Sequence, residues 1–444
     1  MAKIRLSDHF YYRKLLRFTL PSIVMMIFTS IYGVVDGFFV SNFVGKTPFA
    51  AVNFIMPFLM ILGAFGFMFG TGGSALIAKT LGEGDREKAN RIFSLIVYTS
   101  LLTGIAIAVL GITFIRPVAM LLGAEGEMLD HCVTYGRIIL IALPAYMLQF
   151  EFQSFFVTAE KPTLGLIVTI ASGVTNMVLD ALLVAVFPFG LVGAALATAM
   201  SQVVGGIVPL FYFFRKNSSL LSLGKTSFDG RALLKTCTNG SSELMSNVSM
   251  SLVGMLYNVQ LIRYAGEDGV AAYGVLMYVN MIFLAAFIGY SVGTAPVIGY
   301  HYGAQNHTEL KSLLRKSTLL IGICAAAMLA LGELLAYPLS LLFVGYDEAL
   351  MDMTLHGFRI FSFSFLFAGF AIFGSSFFTA LNDGLTSALV SFLRTMVFQI
   401  AAVLLLPLVW ELDGIWYSIL VAEAMAVLTT LLFLILKRKR YRYF

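Results

Sequence analysis

Acidic side chains within long apolar stretches are the first residues of this sequence that could do chemistry. Asp36 lies in the last part of one such stretch, and Asp180 lies in the last part of another with Asn176 four positions before it. Residues four apart share a helix face, so Asn176 and Asp180 present their oxygens together. Two nearby carboxylates in a low dielectric cannot both stay ionised cheaply, so they take up a proton or share a cation such as Na⁺. The pattern predicts a cation-coupling site made of Asp36, Asn176, Asp180 and Thr198.

The depth of these residues supports one shared site. Asp36, Asp180 and Thr198 each lie eight or nine residues from the Gly or Pro that bounds their apolar segment. At about 1.5 Å per residue, all three lie roughly 12–14 Å below one surface.

Two further acids are candidates for a substrate cavity. Glu151 lies beside Gln153 and Phe155, and Glu243 begins a polar stripe with Asn247. Glu151 fits equally well as a partner of a neighbouring helix, and Glu243 fits slightly better as a helix-end cap or ion pair. Two other acids in apolar segments, Glu333 and Glu423, are expected to be lone residues without a polar stripe.

The composition indicates the elements that position these acids. Hydrophobic residues make up 59% of the 444 and charged residues only 12%, against roughly 25% charged in soluble domains. Lipid must therefore be the main solvent, and the continuous apolar runs favour helices over barrel strands. We predict an all-α integral membrane protein with twelve transmembrane helices: 16–42, 50–79, 92–116, 129–158, 163–187, 191–214, 233–263, 270–302, 309–342, 350–380, 385–408 and 414–436.

The charges predict how these helices are oriented. Most of the 29 Lys and Arg residues fall in the two tails and in alternate loops, whereas the opposite loops carry acids. The excess of basic residues on the cytoplasmic side predicts a multi-pass protein of the bacterial inner membrane with both termini in the cytoplasm. The basic tail at 437–442 is interpreted as a topology and lipid-headgroup anchor, not as a nucleic-acid binding segment.

The sequence also repeats itself at an offset of about 221 residues. This offset aligns Gly45 with Gly266 and Gly82 with Gly303, and it places Tyr257 at the position of Asp36. We predict two parallel six-helix lobes, residues 1–225 and 226–444, with a substrate cavity between them. The cation-site acids have no equivalent in the second lobe.

Enzyme chemistry and bound cofactors are not indicated. No Walker loop, nucleophile elbow or zinc motif occurs, and the three Cys residues form no disulfide or metal pattern. No catalytic residue and no metal site is predicted, apart from Na⁺ binding at Asp36 and Asp180.

The chain resembles the MATE (multidrug and toxic compound extrusion) transporters, in the MepA-like branch. The motifs that carry the resemblance are GVVDGFFVSNFVG (33–45), GTGGSALIAKTLGEGD (70–85), NMVLDALLV (176–184) and GTAPVIGYHYGAQN (293–306). The resemblance implies export of drugs and organic cations by exchange for H⁺ or Na⁺. In it Asp36 matches the helix 1 acid of the family's cation site, Asn176 and Asp180 match its helix 5 partners, and Thr198 matches its helix 6 hydroxyl. The acid that some members carry in helix 10 is absent, so ion coupling by the second lobe is not expected.

Multidrug export by H⁺ or Na⁺ antiport is thus the leading hypothesis, with a monomer sufficient for function. Small-molecule drugs, organic cations and membrane lipid are the expected partners. A flippase for a lipid-linked cell-envelope precursor is the alternative within the same superfamily. Such proteins line their cavities with several arginines, whereas only Arg137, Arg359 and Arg394 lie within predicted helices here. A membrane sensor is a third hypothesis, but the short loops contain no output domain.

Overall fold

The computed structural model describes residues 4–444 as an all-α protein in which no strand occurs. Within that range, helices 1 to 6 are Tyr12–Val44, Lys46–Gly82, Arg86–Leu121, Gly126–Ile141 with Leu143–Thr158, Pro162–Val186 and Gly190–Phe214. Helices 7 and 8 are the two arms of Gly230–Gly303, which bends at Gly266. Helices 9 and 10 are His307–Val344 and Glu348–Ser362 with Phe365–Ala380. Helix 11 comprises Gly384–Phe392, Leu393–Val397 and Phe398–Leu405, and helix 12 is the arm of Pro407–Tyr441 after the bend at Glu411. The predicted twelve-helix fold is confirmed.

Two of these helices are broken, which was not predicted from the sequence. Helices 4 and 10, predicted as single spans over 129–158 and 350–380, bend by 55° and 48°. In helix 4 the second half starts at Leu143 with Pro144 in its first turn, where the missing N–H costs no hydrogen bond. Helix 10 breaks at Phe363 and Ser364 without a proline, so its sequence gives no comparable warning.

The internal repeat is visible in the backbone of the helix connections. Residues with positive φ occur at matching places in the two halves, separated by 221 or 222 positions along the chain. These pairs are Gly45 and Gly266, Gly84 and Gln305, Glu160 and Asn382, and Gly190 and Glu411. Since the same turn recurs at four joints of each half, the two lobes have the same topology and run parallel.

The first and last parts of the described chain lie at one end of the molecule, which we call the terminal face. The Leu6 N–H donates to Glu160 Oε1 (2.8 Å), between helices 4 and 5, and the Phe10 N–H donates to Glu309 Oε1 (2.9 Å) at the start of helix 9. Near the other terminus, Tyr441 stacks edge-on against Tyr302, with 5.7 Å between ring centroids. An even number of membrane crossings accounts for this arrangement.

The two lobes touch closely near the terminal face. A Cβ on Gly82 of helix 2 would overlap the carbonyl oxygen of Tyr300 in helix 8, and one on Gly240 of helix 7 would overlap that of Met68 in helix 2. Glycine therefore lets the backbones of opposite lobes approach each other directly.

The lobes diverge toward the opposite end. A Cβ on Gly33 or Gly37 of helix 1, or on Gly254 of helix 7, would meet no atom of the described residues within 4 Å. Hydrophobic packing follows the same division, because one buried cluster joins both lobes near the terminal face while Tyr257 and Trp416 belong to a separate cluster of the second lobe. The helices are therefore less closely packed at the end away from the terminal face, where the cavity predicted between the lobes would open.

Candidate cation-coupling site

The four residues predicted as a cation-coupling site come together where helices 1, 5 and 6 meet. Thr198 Oγ1 donates to Asp36 Oδ1 at 3.3 Å. The Asp36 carboxyl is also within hydrogen-bonding reach of Asn176 and Asp180. Asp180 and Asn176 are buried, at 0% and 2% exposure, whereas Asp36 and Thr198 are half-buried. The site therefore has one wall inside the first lobe and one that remains accessible.

This group of side chains has acceptor oxygens that lack donors. Both carboxylate oxygens of Asp180 and the Oδ1 of Asn176 meet no hydrogen-bond partner among residues 4–444. Buried polar atoms are normally paired, because an unpaired one costs its full desolvation penalty. Two carboxylates in contact also have no donor between them unless one carries a proton. The arrangement suits a shared proton or a small cation with oxygen ligands.

The helices change their winding beside the two acids. Helix 5 passes from α to π geometry at Ala181, directly after Asp180, and helix 1 does so at Val40, one turn after Asp36. A π turn frees backbone groups from the regular ladder and is frequent at functional sites. The chain thus departs from regular helix geometry where the site is formed.

Three residues around the site were missed from the sequence. The Tyr135 side chain of helix 4 reaches Thr198, and Tyr32 interacts electrostatically with Asp36. Gln149 Nε2 donates to the Tyr32 hydroxyl at 3.4 Å. Tyr32 lies four residues before Asp36, and this spacing, which places both side chains on one helix face, could have indicated Tyr32. No sequence signal marks Tyr135 or Gln149, because they belong to another helix.

Three of the predicted substrate-cavity residues lie inside the first lobe. Glu151 and Phe155 are fully buried and Gln153 is 5% exposed. The Glu151 carboxyl lies next to Ser100 of helix 3. The Phe155 ring packs edge-on against Phe93, with 5.1 Å between centroids. In this conformation all three side chains are more buried than that of Asp36.

The other two predicted cavity residues lie on helix 7. Glu243 and Asn247 are half-buried, and Asn247 Nδ2 donates to the main-chain oxygen of Glu243 at 2.8 Å. The Glu243 side chain interacts electrostatically with Arg394 of helix 11.

Glu423 is not a lone acid, contrary to the sequence expectation. Arg394 Nε and Nη2 donate to its two carboxylate oxygens, each at 2.9 Å, between helices 11 and 12. Glu333 likewise interacts electrostatically with Arg359. Both pairings join two different helices, so periodicity within one helix did not reveal them.

Comparison with known families agrees with this architecture. A family model described as MatE matches residues 21–182 and matches again over residues 244–405. The chain belongs to the MatE family. One MatE model fits both halves of the chain, as expected for the repeat, and the resemblance inferred from the motifs is confirmed.

Relatives within the MatE family cover nearly the whole chain. "Multidrug export protein MepA" of Staphylococcus haemolyticus is 26% identical over 93% of this chain and 90% of its own length. The protein of the same name from Staphylococcus saprophyticus is 25% identical over 97% and 94%.

Solved MatE structures share the fold. "Outward-facing conformation of a multidrug resistance MATE family transporter of the MOP superfamily" superposes with a TM-score of 0.93 at 22% identity, covering 100% of this chain and 99% of that one. A MOP superfamily transporter from Pyrococcus furiosus gives 0.90 at 23% identity, over 98% and 97%. The protein is thus a multi-pass membrane protein with the MATE fold.

Proposed function

We propose that this protein exports amphipathic, often cationic organic compounds in exchange for H⁺ or Na⁺, by alternating access between its two lobes. The observation that carries the proposal is the contact between Asp36 and Asp180, two carboxyl groups with no donor between them. Relatives named as multidrug export proteins along almost the whole chain support export of drugs.

The proposed mechanism rests on the charge of this site. Binding of H⁺ or Na⁺ from the open cavity neutralises the pair, with Thr198 and Asn176 as further oxygen partners. The neutralised first lobe then repacks, affinity for the drug falls, and the drug leaves through the cavity. The ion is released on the other side of the membrane when the lobes separate at the terminal face. The contacts there at Gly82 and Gly240 are close but non-covalent, so they can break and re-form.

The membrane location and orientation of the protein are proposed from the distribution of charge. We place the protein in the bacterial inner membrane with the terminal face in the cytoplasm, because basic residues concentrate in the tails and in loops of that face. One chain contains both lobes, residues 1–225 and 226–444, so we propose a monomer that acts without nucleic acid or a bound cofactor.

The flippase alternative gains no support from the structure. A pyrophosphate group requires free cationic side chains, but Arg394 is already paired with Glu423 and Arg359 interacts with Glu333. Nothing favours this function over drug export.

The test replaces each acid by its neutral amide. Asp36→Asn and Asp180→Asn should each reduce drug resistance and dye export to the level of cells without the protein, while the protein still inserts and purifies normally. Asp130→Asn is the matched control, because Asp130 is an exposed acid whose partner is Arg116. Normal export by both site variants would refute the mechanism.

A further inference from the structure

The second lobe contains a charged cluster in the position equivalent to the cation site of the first lobe. The first-lobe site lies between helices 1, 5 and 6, and its counterparts by the repeat are helices 7, 11 and 12. Glu243, Arg394 and Glu423 lie on those three helices. At the repeat offset Glu243 aligns with Ser22 and Glu423 with Gln202. Duplication therefore supplied the same helices with different chemistry.

Arg394 forms a salt bridge with Glu423. Its Nε and Nη2 both bond the Glu423 carboxylate, and the two side chains are only 13% and 6% exposed. A bidentate pair of this kind is strong and geometrically defined. Arg394 also lies in the π turn Leu393–Val397, which fixes where its side chain leaves helix 11.

Glu243 has no hydrogen-bonded charge partner of its own among the described residues. Its carboxylate makes no hydrogen bond to any described residue, and Arg394 is its only recorded charged neighbour within the part of the chain that is described. One arginine and two glutamates sum to a single negative charge when both acids are ionised. Since Glu423 neutralises Arg394, that charge resides on Glu243.

Glu243 lies on the face of helix 7 that is turned toward the predicted cavity between the lobes. It lies three residues after Gly240, which packs against helix 2 of the other lobe, and Asn247 and Gly254 continue the same face of helix 7. In the part of the chain that the structure describes, nothing lies within 4 Å of a Cβ at Gly254. Glu243 therefore lies at the closed end of the cavity, about one helical turn above the contact between lobes. Met250, 69% exposed on the same helix, offers a pliable apolar surface nearby.

We propose that Glu243 receives the positively charged nitrogen of a transported organic cation, while Glu423 holds Arg394 away from it. This site rests on the proposed export function and names the residue that recognises the charge of the substrate. The two lobes then divide the work: the coupling ion binds in the first and the charge of the drug in the second. Arg394 controls the site, because its charge cancels that of Glu243 whenever Glu423 cannot hold it.

Ethidium binding to the purified protein in detergent, at fixed pH and without any ion gradient, tests this proposal. Glu243→Gln should weaken ethidium binding roughly tenfold, because a charge contact of this kind is worth on the order of 1.4 kcal/mol. Glu423→Gln should weaken it similarly, because Arg394 is released to pair with Glu243. The double variant Arg394→Gln/Glu423→Gln should recover wild-type affinity, since only the charge of Glu243 remains.

Glu333→Gln is the control, because it removes another acid within an apolar helix, and its affinity should equal that of the wild type. Wild-type affinity in Glu243→Gln would overturn the proposal, as would absence of ethidium binding by the wild type. Failure of the double variant to recover affinity, with an unchanged melting temperature, would overturn the role of Arg394. The assay needs no coupling ion, so a failure of the antiport mechanism would leave these results intact and would appear only in gradient-driven transport.

Discussion

Asp36 and Asp180 could be assigned to one site from the sequence because helix rise is constant, so counting residues from each helix end gives a depth. The structure brings the four predicted residues into contact, while their role in coupling stays a prediction. Arg394 and Glu423 could not be paired in this way. Their contact depends on how helices 11 and 12 pack, and no single-helix pattern encodes it.

The Thr198 hydroxyl gives a prediction at the residue scale. Thr198→Val removes the donor to Asp36 Oδ1, and a hydrogen bond to a charged group is worth about 1.5–3 kcal/mol. The ion concentration for half-maximal dye export in proteoliposomes should therefore shift by about tenfold or more. Thr198→Ser keeps the hydroxyl and should behave as the wild type. Identical ion dependence in the Val and Ser variants would contradict a role for this bond.

At the scale of elements, most helices were predictable because apolar length and Lys or Arg at their ends determine them. The breaks in helices 4 and 10 and the π turns after Asp36 and Asp180 were not predicted. These features depend on packing against neighbouring helices, as the break at Phe363, which has no proline, shows.

The start of helix 11 gives a prediction about pH. Asp383 accepts from the Thr386 hydroxyl (2.9 Å) and lies 3.5 Å from Lys437 Nζ of helix 12. Burial acts to raise the pKa of this carboxyl, but hydrogen bonds from Tyr441 and Thr386 and the charge of Lys437 outweigh it, so the pKa lies below its ordinary value. A lowered pKa stabilises the fold above about pH 4 and loses that effect as the pH falls through the folded-state pKa.

Asp383→Asn should therefore lower stability by about 1 kcal/mol at pH 7. The difference should shrink as the pH falls below about 4 and vanish once the pH is below the folded-state pKa. Thermal unfolding of the detergent-solubilised protein across this pH range measures it. Asp85→Asn is the control, because Asp85 caps helix 3 through the Lys88 N–H and Asn caps a helix equally well. A stability difference at pH 7 that persists unchanged in acid would exclude the ionised form as its cause.

The whole molecule is duplicated in fold but not in chemistry. The sequence repeat predicted the two lobes, and the turns at Gly45 and Gly266 show the same backbone in both. The chemistry of the second lobe was underestimated, because aligning Asp36 with Tyr257 suggested a lobe without a cation site. The structure instead places a charged cluster on the equivalent helices, nearer to the terminal face.

Closure at the terminal face gives a prediction about conformation. Gly82→Ala inserts a methyl group where the lobes meet at Tyr300, and overpacking of this kind costs about 1–3 kcal/mol. The equilibrium should shift by about fivefold to a hundredfold toward lobes separated at this face. Spin labels on the exposed residues Glu83 and Gln305, in a cysteine-free background, would report the distance. Gly254→Ala, which meets open space, should leave the distance distribution as in the wild type; an unaltered distribution in Gly82→Ala would show that this contact does not hold the lobes together.

The central claim, that drug export is coupled to an ion bound at Asp36 and Asp180, is tested most directly by reversing the coupling. In proteoliposomes without any initial ion gradient, an imposed ethidium gradient should drive H⁺ or ²²Na⁺ in the opposite direction. The same gradient should drive no ion movement in Asp36→Asn or Asp180→Asn. Ethidium movement by the wild type with neither ion moving would contradict the account.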